Sequence, residues 1–93
     1  MFIEVVTVGF YLENCHSLKQ KRQALSGLRD KYGKIPTVAV VETDYQEQHQ
    51  QSQWQFVFCG MDQKLIDKGV AQLERTVSLE LDARVVQFER EKI

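Results

Sequence analysis

Proline and cysteine are scarce in this chain. Its 93 residues include one proline and two cysteines, and the cysteines, Cys15 and Cys59, form no CxxC pair. Such spacing offers neither a zinc site nor a redox motif, and we expect both thiols to stay reduced. No apolar run approaches the roughly 20 residues that a membrane-spanning helix requires. The sequence therefore argues against a disulfide scaffold, a zinc module and a membrane protein.

Length and composition indicate one folded domain over residues 1–93. Hydrophobic residues make up 43% of the chain and charged residues 27%, which are ordinary values for globular proteins. The amino terminus begins directly in a strand-like pattern, without the basic and apolar segments of a signal peptide. We therefore expect a cytoplasmic protein.

Positive charge is concentrated in one segment. Residues 17–34 hold six Lys or Arg against the single acid Asp30, a net charge of plus five, although the whole chain has a formal net charge of −1. Charge asymmetry of this kind is typical of proteins with a polyanionic partner.

Hydrophobic periodicity predicts four strands and two helices. Alternating or β-branched segments predict strands over 2–12, 37–43, 53–59 and 83–89. Ser17 followed by Gln20 predicts the capped start of a first helix that ends near Gly33, and Asp62 predicts the start of a second. Residues 44–51 are either a loop or a hairpin that extends into solvent, and residues 89–92 are expected to be a frayed tail.

The element order βαββαβ predicts an α+β, ferredoxin-like sandwich: a four-stranded antiparallel sheet with two helices on one face. The aromatic side chains of Trp54, Phe56 and Phe58 should then face the helices. Turning them outward to stack on RNA bases would force Gln53 and Gln55 into the core without partners. RNA recognition by these strand aromatics is therefore rejected.

No constellation of enzyme or metal-binding residues emerges. Cys15 and His16 are adjacent, but adjacency does not orient an imidazole toward a sulfur. Fewer than three metal ligands converge, and there is no glycine-rich anion loop followed by an arginine. Glu42 and Asp44 are explained as solvated carboxylates near the end of a hairpin. We expect neither an enzyme nor a cofactor.

The first helix is the candidate binding element. Lys19, Arg22 and Arg29, with His16 just before the helix, form a basic stripe about 15 Å long that could contact several phosphates of a nucleic acid. The alternative is that these charges only keep an exposed helix soluble, and the acidic sequence pI of about 6.1 favours that alternative.

Lys21 differs from the other basic residues because it falls within the apolar arc of the helix. We predict a structural ion pair with a carboxylate of the sheet, either Glu42 or Glu4.

The sheet face opposite the helices is expected to be unusually apolar. The side chains predicted there would form an exposed patch that a second copy could cover, which predicts a homodimer. They are Ile3, Val5, Thr7, Val57, Cys59 and Val85.

The segment His16-Ser17-Leu18-Lys19-Gln20-Lys21-Arg22 resembles the signature of the YlxP-like proteins, small bacterial proteins of unknown function. The likeness continues through Val41-Glu42-Thr43-Asp44 and to Glu89-Arg90-Glu91. It implies a ferredoxin-like fold, and because family members are often encoded beside ribosome-maturation factors, it suggests RNA or ribosome association. Residues carried over are His16, Lys19, Lys21, Arg22 and Asp44. Tyr45, His49 and Gln51 depart from the family pattern.

Together these features predict a small cytoplasmic binding protein, an accessory factor that associates with RNA or the ribosome through its first helix. The alternative is a homodimeric protein-interaction module that has no nucleic-acid partner.

Overall fold

A computed structural model describes all of residues 1–93. The elements follow in the order β1 (Phe2–Tyr11), α1 (Leu18–Tyr32), β2 (Val38–Asp44), β3 (Gln51–Gly60), α2 (Gln63–Leu79) and β4 (Arg84–Lys92). The strands form one sheet in the order β2-β3-β1-β4, and each neighbouring pair is antiparallel. The predicted α+β, ferredoxin-like arrangement is confirmed.

The core lies between the helices and one face of the sheet. Trp54, Phe56 and Phe58 are buried on that face, in one cluster with Leu28 of α1 and Leu73 of α2. The predicted orientation of the strand aromatics is therefore correct. The opposite face, called the open face below, carries the intervening residues of each strand.

Side chains at its amino terminus fix where α1 begins. Ser17 Oγ accepts a hydrogen bond from the Gln20 backbone N at 3.1 Å, and Gln20 Oε1 accepts one from the His16 backbone N at 2.7 Å. The bond to Ser17 satisfies a donor that the first helical turn leaves unpaired, and the bond from His16 ties down the residue just before the cap. The reciprocal bond reaches one residue beyond the capping serine, to His16.

Residues 45–50 form a loop rather than an extended hairpin, because β2 ends at Asp44 and β3 begins at Gln51. Tyr45 has a φ of 63°, the only non-glycine residue with a positive φ. This left-handed conformation is unfavourable for a residue with a Cβ atom. The surrounding contacts must therefore hold the loop in place.

The predicted orientation of Val85 is wrong. Phe10 pairs with Val85 and Gly9 pairs with Gln87, so Val86 is an extra residue in a bulge. One inserted residue reverses the faces on either side of it. Val85 consequently packs against the core, whereas Val86 is 59% exposed.

The predicted fraying of residues 89–92 is also wrong, because β4 continues to Lys92 beside Glu4 of β1. The Arg90 guanidinium binds the Glu4 carboxylate, and it also lies 2.8 Å from Asp67 Oδ1 on α2. Pairing across the sheet and to the helix orders this charged segment.

Neither helix has the length and hydrophobicity needed to cross a membrane.

Candidate nucleic-acid interface

The amino-terminal turn of α1 presents positive charge without a compensating acid. His16, Lys19 and Arg22 are exposed, and the first turn contains no acidic residue. The amino end of a helix is the positive end of its dipole and normally favours anions. Basic side chains here add to an already positive potential.

Arg22 and Arg29 lie on the flank of α1 that faces β2. They are seven positions apart, which corresponds to about 10 Å along the helix. Both line a shallow groove of about 270 Å³ whose other walls include Glu42 and Trp54. The Arg29 guanidinium carbon lies 5.5 Å from the centroid of the Trp54 ring, so a cation–π contact orients this arginine.

The basic stripe is not neutralised within the chain. None of the ion pairs in the structure includes Lys19, Arg22 or Arg29. The four residues proposed from the sequence therefore follow one side of α1, with Arg29 held by Trp54 and the other three open to solvent. This arrangement can accept a chain of anionic groups.

Lys21 is buried beneath the stripe, with its side chain 4% exposed. Its Nζ lies 3.0 Å from Glu42 Oε2, and it donates to the carbonyl oxygens of Tyr45 at 2.8 Å and Gln51 at 3.2 Å. Three acceptors match the three protons of the ammonium group. Of the two carboxylates proposed as partners, Glu42 forms the pair, and the same lysine binds both ends of the β2–β3 loop.

A short hydrogen-bond chain links this ion pair to the core. Trp54 Nε1 donates to Ser52 Oγ at 2.8 Å, and Ser52 Oγ donates to the Glu42 carboxylate. Buried polar groups are stable when each has a partner. Lys21, Glu42, Ser52 and Trp54 thus form one connected cluster, called the lysine cluster below.

Glu4, the other proposed partner of Lys21, belongs to a different cluster. It is 1% exposed and bonds Arg90 and Gln63. The hydrogen bond from Arg90 lowers the pKa of Glu4, against the opposing effect of burial. Glu4, Arg90, Gln63 and Asp67 are called the arginine cluster below.

The remaining candidates do not assemble a reactive site. Cys15 is buried and its Sγ donates to the Ser17 carbonyl at 3.3 Å, while the neighbouring His16 is exposed. Asp44 Oδ1 accepts from the Tyr45 backbone N at 2.7 Å, so this carboxylate supports the loop. No three His, Cys, Asp or Glu side chains are grouped so that they could hold a metal ion.

The sequence reasoning missed two residues at the same end of the molecule. Tyr11 ends β1 and Arg84 begins β4, and these two residues are paired in the sheet. The Arg84 guanidinium carbon lies 5.2 Å from the centroid of the Tyr11 ring. Only the strand register could have revealed this pair, because 72 intervening residues separate the two positions in the printed sequence.

The fold and the exposed charges of α1 define a small ferredoxin-like α+β protein with a basic first helix. A family model described as "Protein of unknown function (DUF503)" matches residues 3–90. The chain belongs to this family. A comparison with curated proteins finds no match.

Proposed function

We propose that this protein is a non-enzymatic accessory factor that binds RNA, free or within the ribosome, through the exposed basic side of α1. The proposal includes a cytoplasmic location and the kinship with YlxP-like proteins suggested by the segment from His16 to Arg22. The observation that carries it is the unneutralised positive charge at the amino end of α1.

The position of the charges on α1 supports a role in binding rather than a role in keeping the helix soluble. A helix that needed charge only for solubility would place acids in its first turn, where the dipole stabilises them by about 0.3–1 kcal/mol each. Neither helix has an acid in its first turn, but in α2 the capping residue is the acid Asp62, whereas α1 has a neutral serine cap followed by Lys19 and Lys21. A local arrangement that opposes stability is expected where function requires it.

The stripe also has a suitable length. Lys19, Arg22 and Arg29 extend over about 15 Å of helix, enough to meet several phosphates of one strand. Contacts of this kind give affinity that depends on salt and little on sequence.

A charge-reversal experiment tests the proposal. Changing Lys19, Arg22 and Arg29 together to Glu should abolish retention on single-stranded RNA at low salt. A milder variant, with Gln at the three positions, should reduce the slope of log affinity against log salt by about 2, because each lost phosphate contact removes about 0.7. Fluorescence anisotropy across a salt series measures both effects.

The matched control reverses three exposed charges on the other helix: Lys64, Lys68 and Arg75 of α2. This variant changes the net charge by the same amount and should retain most of the affinity. If the two triple variants bind RNA equally well, α1 is not the interface. Circular dichroism of all variants establishes that they remain folded.

The alternative, a homodimer formed through the open face, is favoured by a different observation. Ile3, Val5 and Val57 are only partly buried on that face, and Val41 beside them is 52% exposed. Sedimentation velocity should then show a dimer that Val5→Lys disrupts and Leu79→Lys, on α2, does not. A protein that stays monomeric at about 100 μM, well above the dissociation constants of stable complexes, would eliminate this alternative.

A further inference from the structure

A cleft on the open face includes two residues, Tyr45 and Gln51, whose carbonyl oxygens bind Lys21 of α1. Its volume is about 200 Å³, and its lining includes Gly9, Tyr11, Tyr45, Gln51, Arg84 and Val86. Pockets for drug-sized ligands measure about 300–1,000 Å³. This cleft is therefore suited to one planar ring system rather than to a larger molecule.

The chemistry of the lining is that of a stacking site. Two tyrosines and an arginine border the cleft, and Arg84 already stacks on Tyr11 at 5.2 Å. Unpaired RNA bases stack on aromatic rings and on arginine guanidinium planes, and their edges bond to polar side chains such as amides. Gln51 provides an amide at the edge of the same cleft.

The conformation of the loop provides a second, independent observation. Tyr45 adopts its unfavourable positive φ of 63°, and Lys21 Nζ binds the carbonyl oxygens of Tyr45 and Gln51, both of which line the cleft. Strained residues that the surrounding structure holds in place cluster at binding sites. The buried lysine thus fixes one wall of the cleft before any ligand arrives.

Charge distinguishes this cleft from its larger neighbour. A cavity of about 670 Å³ at the same end of the molecule shares Tyr11 and Arg84 with the cleft, but its lining also includes Glu13 and Asp82. Those carboxylates repel a phosphate backbone. The cleft on the open face is lined by no acid, and Lys21, which holds its wall, lies between Lys19 and Arg22 in the sequence.

We propose that the cleft formed by Tyr11, Tyr45 and Arg84 binds one unpaired base of single-stranded RNA. The inference rests on the proposed function, because the basic side of α1 would hold the phosphates of the same strand. It is distinct from recognition by the central strand aromatics, which are buried beneath the helices.

Two probes of equal charge test this inference: a labelled single-stranded RNA of about ten nucleotides, and the same strand with abasic riboses. The native protein should prefer the strand that carries bases by about tenfold, because stacking of a single base has an effect of this order. Fluorescence anisotropy at one salt concentration gives both affinities.

Variants of Tyr45 test whether this cleft causes the preference for the RNA strand that carries bases. Tyr45→Gly removes the ring while glycine accepts the positive φ, so the chain should remain folded. This variant should lose most of the preference and keep its affinity for the abasic strand, whereas Tyr45→Phe should behave as the native protein. Arg84→Gln should also reduce the preference. The control Phe2→Ala removes an exposed aromatic at the far end of β1 and should change nothing.

The outcomes separate this inference from the proposed function. Equal affinity of the native protein for the two strands overturns the stacking site and leaves the role of α1 intact. If the α1 triple variant keeps full affinity while Tyr45→Gly loses the preference, the α1 proposal fails and the stacking site stands. A native protein that binds neither strand overturns both.

Discussion

The lysine cluster and the arginine cluster each bury one charged group between sheet and helix. Glu4 of the arginine cluster pairs with Phe58 of β3, six positions along that strand from Ser52 of the lysine cluster, or roughly 20 Å. In the lysine cluster the cation is enclosed, and two of its three partners are the backbone carbonyls of Tyr45 and Gln51, at the two ends of the β2–β3 connection. In the arginine cluster the carboxylate is enclosed and its partners are side chains from α2 and β4.

This difference shows that burial of a charge can serve two purposes. The arginine cluster ties regular elements together: it orders the end of β4 and joins it to α2. The lysine cluster bonds an irregular loop that contains the unfavourable positive φ of Tyr45. The cleft proposed to bind a base lies beside the lysine cluster, because Tyr45 and Gln51 line it.

The largest effect is expected for Lys21→Met. It leaves Glu42 and two loop carbonyls without their cation, which should lower the free energy of unfolding by about 3 kcal/mol. Urea denaturation measures this loss. Lys19→Met, on the exposed side of the same turn, should change stability by less than about 0.5 kcal/mol. An unchanged or raised stability of Lys21→Met would show that the cluster does not support the fold.

Glu4→Gln should lower stability by about 2 kcal/mol at pH 7, because a hydrogen bond to a charged group is lost. Its pH dependence has a definite sign. The pKa of folded Glu4 lies below its ordinary value of 4.5 because Arg90 donates to the carboxylate. The stabilisation is therefore complete above pH 4.5 and is lost as the pH falls through the lower pKa of the folded state.

Unfolding curves of both proteins at pH 7 and pH 3 test this prediction. The difference in free energy of unfolding between the native protein and Glu4→Gln should be smaller at pH 3 than at pH 7. Glu74→Gln, at an exposed position of α2, should remain close to the native protein at both values. A difference that grows on acidification would contradict the role assigned to Arg90.

Substitutions of Tyr45 are expected to have smaller effects, of about 1 kcal/mol. Tyr45→Gly should leave stability unchanged or raise it slightly, because glycine adopts positive φ without a Cβ clash, whereas Tyr45→Val should lower it. Thermal unfolding compares the two. In a Lys21→Met background the loop is free to relax, so the difference in stability between Tyr45→Gly and Tyr45→Val should become smaller. An undiminished gap would show that Lys21 does not hold this conformation.

The smallest effect is expected for Lys19→Glu, which should raise stability by about 0.3–0.5 kcal/mol while weakening RNA binding. The acid complements the dipole at the amino end of α1, where the native lysine opposes it. Lys68→Glu, the same exchange in the middle of α2, should leave stability almost unchanged. Loss of both stability and binding in Lys19→Glu would remove the argument that this charge is kept for function.

Much of the fold could be predicted because its signals are local. Alternation along β1 and β3, and the caps at Ser17 and Asp62, identify the elements and the helix starts within a few residues. Each of the two helices is apolar on one side only. Both apolar sides can be buried against the same face of the sheet, which leads to the ferredoxin-like arrangement. The basic stripe of α1 is likewise visible because residues three and four apart share a helix face.

The bulge, the loop and the second cluster depended on contacts between distant segments. No local signal marks Val86 as an extra residue, yet that residue places Val85 in the core rather than on the open face. The sequence around Arg90 is typical of a solvated tail, but the pairing of β4 with β1 places this arginine beside Glu4. The pairing of β1 with β4 places Arg84 beside Tyr11.

The amino-acid sequence by itself determined the class of fold, the orientation of the core aromatics and the charge carried by α1. Tertiary structure decided which carboxylate Lys21 binds, the positive φ of Tyr45 and the cleft beside it. The reason is physical: periodicity and capping act over a few neighbouring residues, whereas strand register and buried ion pairs are fixed only when segments far apart in the chain meet.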